Sequence, residues 1–164
     1  MNWLGQLRIG SEERLIAGLD WLAEYTDRSK PVAPHLKTGL RGEDAAFFYL
    51  RRKGFYVVAR RWTPGSEPGD IDLIAWKGPI LCFVEVKTRT AHDMLTAEAA
   101  VDAHKRSILR RLARQYVRQL PRPDWPPVRF DIVSVYLIPG QPREIMHFEG
   151  AFGMDPLERL EDRY

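Results

Sequence analysis

Charged side chains interrupt two apolar, strand-like segments in the middle of this chain, at residues 70–76 and 80–88. The interrupting residues are Asp70, Asp72, Glu85 and Lys87. A charge inside a buried strand is costly unless it is paired or binds an ion. These four side chains are therefore the first candidates for a chemical role.

The alternation of the two segments predicts a pair of strands, and Lys77–Pro79 supplies the turn signal between them. Residues two apart on a strand share a face, so Glu85 and Lys87 point to the same side. A connection of two or four residues places Asp72 directly opposite Glu85, with Cβ atoms roughly 5 Å apart. A three-residue loop places Asp72 opposite Val84 instead, unless a bulge restores the register.

Two carboxylates at that distance repel each other by about 4 kcal/mol at an effective dielectric constant near 20. A divalent cation with oxygen ligands relieves this repulsion, and Mg²⁺ or Mn²⁺ suits a carboxylate pair that leaves positions open for water. Asp72 and Glu85 are thus the expected metal ligands, and Lys87 is placed to orient an attacking water. The alternative is a half-exposed hairpin on which Glu85 and Lys87 only face solvent.

An aspartate, a spacer and Glu-x-Lys on the next strand form the signature of the PD-(D/E)xK nuclease fold. The wider set of motifs resembles the YraN family, bacterial nuclease-like proteins that are similar to archaeal Holliday-junction resolvases. The motifs that carry the resemblance are Gly42-Glu43, Gly69–Ile74, Phe83–Arg89, Ala100-Val101 with Lys105, Arg129-Phe130-Asp131 and Ala151-Phe152. Together they span about residues 37–152.

The resemblance implies an α/β fold of the restriction-endonuclease-like type, in which helices flank a mixed central sheet with an α-β-β-β-α-β core. It also implies that Asp72 and Glu85 hold metal and that Lys87 is the catalytic lysine. Glu43 would be a supporting acid from the first helix of the core, and Lys105 stands where the family has a lysine.

The residues alone leave the roles of Glu43 and Lys105 open. Glu43 falls in the first turns of a helix predicted over residues 39–53, where a carboxylate also stabilises the helix dipole. Lys105 is in line with the apolar stripe of a second helix, which Thr96 is expected to cap and which ends before Pro121. A lysine there either reaches the sheet acids or extends its stem over apolar surface.

Arginines recur every four residues on the second helix. This arginine ridge consists of Arg106, Arg110, Arg114 and Arg118. It would be roughly 18 Å long at 1.5 Å per residue. Because duplex DNA presents a charge about every 1.7 Å of its axis, the ridge and Arg89 are candidate nucleic-acid-binding residues. A solvated helix face is the alternative.

The overall charge is compatible with a polyanionic partner. The 164-residue chain has a net charge of +3, but residues 37–152 contain 19 basic and 13 acidic residues. A basic segment that also carries the motifs suits a nucleic-acid partner, because lysine and arginine are attracted to its phosphates. The single cysteine, Cys82, lies in an apolar run and excludes an intrachain disulfide.

The sequence indicates one domain with two appendages. Residues 37–152 form the nuclease-like domain, residues 1–36 an N-terminal extension with one extra helix and a proline-containing linker, and residues 153–164 an acidic tail. The extra helix is expected to pack on the domain, and the alternative is that it forms a homodimer or docks a partner. No stretch approaches 18 apolar residues, and no signal-peptide pattern begins the chain, so a cytoplasmic location without membrane association is expected.

These features predict a metal-dependent, nuclease-like protein that hydrolyses phosphodiester bonds within DNA and is selective for nucleic-acid structure rather than sequence. The residues expected to carry catalysis are Asp72, Glu85, Lys87, Glu43 and Lys105. The alternative is a nucleic-acid-binding accessory protein that keeps the fold and cuts nothing.

Overall fold

The computed structural model describes residues 34–65, 68–92, 101–121 and 125–154. Its elements, in chain order, are α1 (Pro34–Arg52), β1 (Tyr56–Trp62), β2 (Ile71–Lys77), β3 (Ile80–Arg89), α2 (Ala103–Arg118), β4 (Val128–Tyr136) and β5 (Glu144–Phe152). This order confirms the predicted α/β class and is consistent with a restriction-endonuclease-like core. The extra helix predicted in the N-terminal extension lies outside the described residues.

One five-stranded sheet organises the domain, with the strands in the order β1-β2-β3-β4-β5. Strands β3 and β4 are parallel, whereas the other neighbouring pairs are antiparallel, so the sheet is mixed as predicted. A parallel pair needs a long crossover connection, and α2 lies within the connection from β3 to β4. No helix in the described part of the chain has the length and apolar character needed to cross a membrane.

Each face of the sheet packs against one helix. On the α1 face, Ala46 and Leu50 join sheet residues such as Leu73 and Val84 in one buried cluster. On the α2 face, a second cluster forms, which includes Leu109, Leu112, Ile74, Phe83 and Phe130. Apolar residues that alternate along β2 and β3 thus serve the two faces in turn, which is the pattern of a sheet covered on both sides.

Cys82 belongs to the core on the α1 face and is fully buried. Burial, and then the nearby charge of Asp131, raise the pKa of its thiol to about 11. The thiol therefore stays protonated at neutral pH, as expected for a cysteine that packs as a small hydrophobic residue.

Helix α2 begins later than predicted. Its N-cap is Asp102, whose carboxylate accepts the backbone N–H of Lys105 at 2.8 Å, so the prediction that Thr96 caps this helix is wrong. A carboxylate at the N-cap satisfies one of the unpaired N–H groups of the first turn, and aspartate does so well. Lys105 therefore lies in the first turn of α2. Its Nζ is 3.5 Å from the backbone oxygen of Asp70, the residue before β2.

Helix α1 approaches the sheet closely because Gly42 has no side chain. A Cβ atom on Gly42 would lie 1.8 Å from Thr88 Oγ1, a distance that no real pair of atoms tolerates. The helix can therefore pack directly on the end of β3 at this point. Because Glu43 follows Gly42 in the helix, this close packing places Glu43 at the end of the sheet where the predicted site lies.

Candidate active site

The β2–β3 hairpin has the register that the cluster requires. Its paired residues run from the turn to Leu73 opposite Val84, and the strands are joined by a two-residue connection. The next opposed pair in this register is Asp72 and Glu85, and directly opposed residues of an antiparallel pair point to the same side. The favoured prediction for this hairpin is confirmed.

Glu85 lies at the centre of the cluster and is only 3% exposed. Its Oε1 accepts a hydrogen bond from Lys87 Nζ at 2.9 Å, and its Oε2 lies 3.2 Å from Lys105 Nζ. Lys105 Nζ is also 3.9 Å from Asp70 Oδ1. The lysine of α2 therefore reaches the acids of the sheet instead of extending only over apolar surface.

The charge of Lys105 is set by these acids. Burial disfavours the ammonium ion, but the carboxylates of Glu85, Asp72 and Asp70 outweigh burial and raise the pKa of Lys105. Lys105 therefore stays charged although it is half-buried. The charged Lys105, on α2, therefore stabilises the position of Glu85 Oε2 through their ion pair.

Asp72 is the electrostatically strained member of the cluster. Burial, and then the charge of Glu85, raise its pKa from 3.8 to about 7. The backbone N–H of Val86 donates to Asp72 Oδ2 at 2.6 Å and opposes this shift, as does Lys105. Asp72 follows the last paired residues of the hairpin, Leu73 and Val84. The Val86 N–H and Lys105 stabilise its anion too little to offset burial and the charge of Glu85.

Glu43 lies beside the cluster but is held by a different residue. Its Oε2 accepts a hydrogen bond from Arg61 Nε at 2.5 Å, and its charge contributes to the raised pKa of Asp72. Glu43 also lines an open cavity of about 370 Å³ between α1 and the end of β3. The other residues that line this cavity are His35, Thr38, Gly39, Val86, Thr88 and Thr90.

The carboxylate pair fits a hard divalent cation. Within the described residues, no group of three or more His, Cys, Asp and Glu side chains is arranged to hold a metal ion. Mg²⁺, however, is commonly bound through one or two carboxylates, with water and substrate phosphate completing its shell. Glu85 Oε2 is buried and forms an ion pair with Lys105 Nζ at 3.2 Å, and a carboxylate oxygen can accept a second partner. A cation between Glu85 and Asp72 would satisfy that oxygen and lower the repulsion.

The first two arginines of the ridge contact the protein itself. Arg106 Nε donates to the backbone oxygen of Val101 and Arg110 Nε to that of Gly153, each at 2.8 Å. Both guanidinium groups lie over the ring of Phe152, at 5.8 and 5.6 Å from its centroid. These two residues therefore help to join α2 to the end of β5.

The remaining predicted nucleic-acid-binding residues differ in exposure. Arg118, in the last turn of α2, is exposed, whereas Arg114 and Arg89 are half-buried. The nucleic-acid-binding role of the ridge and of Arg89 stays a prediction.

A second buried polar cluster was missed by the sequence reasoning. Asp131 is fully buried and accepts two hydrogen bonds from Arg129, at 2.8 and 2.9 Å. His147 Nε2 lies 3.0 Å from it and the Gly150 N–H donates at 2.9 Å. Burial favours the protonated acid, but the hydrogen bonds from His147, Arg129 and Gly150 outweigh burial and lower the pKa of Asp131. The available signal was Arg129 and Asp131, two charges on one face of an otherwise apolar strand.

The mixed sheet, its two flanking helices and the acid-and-lysine hairpin define a protein with a restriction-endonuclease-like α/β core. The chain belongs to the family described as Uncharacterised protein family UPF0102, whose model matches residues 42–135. This is the YraN family that the motifs resemble. The matched segment begins at Gly42 and includes the hairpin acids, Lys87 and Lys105.

Several bacterial relatives are similar to most of this chain. A UPF0102 protein of Koribacter versatilis is 52% identical over 118 residues, which is 72% of this chain and 80% of the relative. One from Solibacter usitatus is 54% identical over 99 residues, or 60% of this chain and 74% of the relative. One from Porphyromonas gingivalis is 39% identical over 122 residues, or 74% and 87% of the two chains.

Proposed function

We propose that this protein is a divalent-metal-dependent endonuclease that hydrolyses phosphodiester bonds in DNA and selects its substrate by structure rather than by sequence. The observation that carries the proposal is the half-buried Asp72, which lies opposite the buried Glu85 and has its pKa raised to about 7. Strongly perturbed carboxyl groups that also have specific charged neighbours are typical of catalytic sites. Asp72 and Glu85, together with the two lysines that contact Glu85, are the groups that metal-assisted hydrolysis requires.

In this mechanism Asp72 and Glu85 would hold one or two Mg²⁺ or Mn²⁺ ions. The bound metal would supply Lewis-acid activation of the phosphoryl group and stabilisation of the leaving oxygen. Lys87 is one-third exposed and bonded to Glu85, so its ammonium group can orient a water for in-line attack. Lys105 fixes Glu85 from the side of α2, and Glu43 supports the site from α1.

The charge distribution favours nucleic acid as the substrate. The 19 basic and 13 acidic residues of segment 37–152 give the domain a net positive charge, although the site itself is acidic. Contacts from lysine and arginine to phosphates position a nucleic acid without reading its sequence. Selectivity for shape is therefore the form of recognition that we propose.

A non-catalytic, nucleic-acid-binding accessory protein is the second candidate. One observation favours it: both oxygens of Glu85 already face ammonium groups, at 2.9 and 3.2 Å. A carboxylate neutralised in this way has less need of a metal ion. In this reading the cluster is an ion-pair network, and the protein binds nucleic acid through its basic surface alone.

The decisive experiment incubates the full chain with four-way, splayed, duplex and single-stranded DNA, and with RNA, with and without Mn²⁺. We expect Mn²⁺-dependent cleavage, and a loss of at least about 100-fold in Asp72→Asn and Glu85→Gln because each removes a charge that the transition state requires. Asp44→Asn is the matched control, since Asp44 pairs with Arg60 outside the cluster. Titration of Mn²⁺ by calorimetry should show binding that the two site variants lose.

The outcomes separate the two candidates. Cleavage at the wild-type rate by both site variants would refute the assignment of these carboxylates. A wild-type protein that binds nucleic acid but neither binds Mn²⁺ nor cuts any substrate would establish the accessory role instead.

A further inference from the structure

Arg61 occupies a backbone conformation that side chains other than glycine rarely adopt. Its φ is 46°, and no other non-glycine residue in the described part of the chain has a positive φ. The neighbours of Arg61 in β1 pair with Leu73 and Ile71, so Arg61 lies opposite Asp72. Backbone strain of this kind persists where the surrounding structure enforces it, and it is concentrated at functional sites.

Within the part of the chain that the structure describes, only one of the three nitrogen atoms of the Arg61 guanidinium contacts a protein group. Its Nε donates to Glu43 Oε2 at 2.5 Å, and neither Nη group makes a hydrogen bond within the described residues. The side chain is 46% exposed, against 18% for Glu43. The carboxylate thus fixes the inner edge of the guanidinium and leaves its outer edge in solvent.

The adjacent arginine shows the contrast. Arg60 Nη2 forms an ion pair with Asp44, and its guanidinium lies over the ring of Phe47 at 5.0 Å from the centroid. Arg60 is thereby engaged by both a carboxylate and an aromatic face of α1. Two neighbouring arginines of one strand therefore differ in what they offer to a ligand.

The free edge of Arg61 has the chemistry of a phosphate site. A guanidinium presents paired N–H donors in a plane that matches two oxygens of a phosphate, and a carboxylate on Nε orients it in advance. The four acids of the site, Asp70, Asp72, Glu85 and Glu43, would repel a phosphate. Within the described residues, Lys87 and Lys105 contact Glu85, whereas Arg61, at the register position opposite Asp72, contacts only Glu43 and leaves its outer donors for a ligand.

We propose that Arg61 binds a phosphate of the substrate strand next to the bond that is cut, and that Glu43 positions the guanidinium for this contact. The inference rests on the proposed nuclease function of the same site. It assigns Glu43 a role as a positioning residue for Arg61, which accounts for its contact with β1 rather than with the sheet lysines.

The test compares Arg61→Gly and Arg61→Lys with Arg60→Ala as the matched control. Binding of a fluorescent four-way DNA junction is measured by anisotropy at several salt concentrations in Ca²⁺, and cleavage is measured in Mn²⁺. We expect Arg61→Gly to bind about ten-fold more weakly, as for the loss of a charged hydrogen-bonded contact. The slope of log K against log salt should be shallower by about 0.9, the value for one phosphate contact on duplex DNA.

The two Arg61 variants separate charge from geometry. Arg61→Lys keeps the charge but not the planar pair of donors, so it should keep the salt slope and still lose affinity. In cleavage, KM should rise more than kcat falls in both variants, because the contact binds the substrate rather than the reacting bond. Arg60→Ala should change affinity and slope little.

Thermal unfolding tests whether the role of Arg61 is purely structural. Glycine adopts a φ of 46° without strain, so Arg61→Gly should unfold at or above the wild-type temperature while it binds more weakly. A wild type that binds and cuts, with Arg61→Gly equal to Arg60→Ala in affinity and salt slope, would overturn the inference and leave the nuclease function standing. A wild type that neither binds nor cuts any nucleic acid would overturn both.

Discussion

The sheet carries two buried acidic centres, and they differ in how completely each carboxylate is satisfied. Asp131 receives hydrogen bonds from Arg129 and the Gly150 N–H and contacts His147, and its pKa is lowered. Asp72 is opposed by Glu85, and its pKa is raised to about 7. The same residue type is thus stabilised as an anion at one place and strained at the other.

This difference bears on what each of the two carboxylates, Asp131 and Asp72, can do in the protein. A carboxylate whose oxygens are fully used can fix β4 against β5, but it has nothing left to offer a ligand. A carboxylate that lacks compensation lowers stability and persists in a folded protein where it serves binding or catalysis. We therefore interpret the Asp131 cluster as a structural element, and we propose the Asp72 cluster as the active site.

The largest effect is expected for Asp131→Asn. The substitution removes the fully buried charge that Arg129, His147 and the Gly150 N–H compensate, and breaking a buried ion pair in this way costs about 3–5 kcal/mol. Urea unfolding at neutral pH measures the loss. Glu149→Gln is the control, because Glu149 contacts the same arginine at 2.7 Å but is 54% exposed and should contribute less than about 1 kcal/mol.

The pH dependence of this first pair has a defined sign. A lowered folded pKa means that Asp131 stabilises the protein above its unfolded pKa of about 3.9 and that this stability is lost as the pH falls through the folded value. The difference between wild type and Asp131→Asn should therefore shrink in acid. Equal stability of the two proteins at neutral pH would contradict the structural interpretation.

A smaller effect is expected at the contact that brings α1 to the strained cluster. In Gly42→Ala the new methyl group overlaps Thr88, and overpacking of this kind costs about 1–3 kcal/mol. Gly39→Ala, three residues earlier in α1, has nothing within 4 Å of its Cβ and should instead gain about 0.5–1 kcal/mol. Thermal unfolding of both variants checks the contrast, and a gain in both would show that the close approach of α1 to β3 does not hold.

The smallest of the three main effects, and a gain rather than a loss, is expected for Asp72→Asn in chelator. The amide keeps an oxygen for the Val86 N–H but removes the repulsion from Glu85, so stability should rise by about 1 kcal/mol at pH 8. Because the folded pKa is raised from 3.8 to about 7, the wild type loses stability as the pH rises through this interval. The gain should therefore vanish near pH 4. A loss of stability at pH 8 would mean that Asp72 is not strained.

Much of the site was predictable because it depends on local spacing. Alternation fixes the faces of β2 and β3, and a short turn fixes which residues of a hairpin face each other, so Asp72, Glu85 and Lys87 could be placed together from the sequence. The position of Lys105 followed from helical periodicity, although the start of α2 did not. Asp102 competes with Thr96 as a cap, and only tertiary packing decides between them.

The rest depends on contacts between distant residues. His147 reaches Asp131 from a neighbouring strand, and Arg61 reaches Glu43 from across the helix–sheet boundary. Nothing in the spacing of these residues predicts such pairs. Likewise, the positive φ of Arg61 gives no signal in the sequence, because arginine, unlike glycine or asparagine, is not typical of that conformation.

The buried thiol of Cys82 makes the native chain its own reporter of unfolding. Because the side chain is inaccessible and its pKa is raised to about 11, alkylating reagents can modify it only in molecules whose central strands have separated. The rate of modification therefore measures how often the sheet opens, and no engineered label is required.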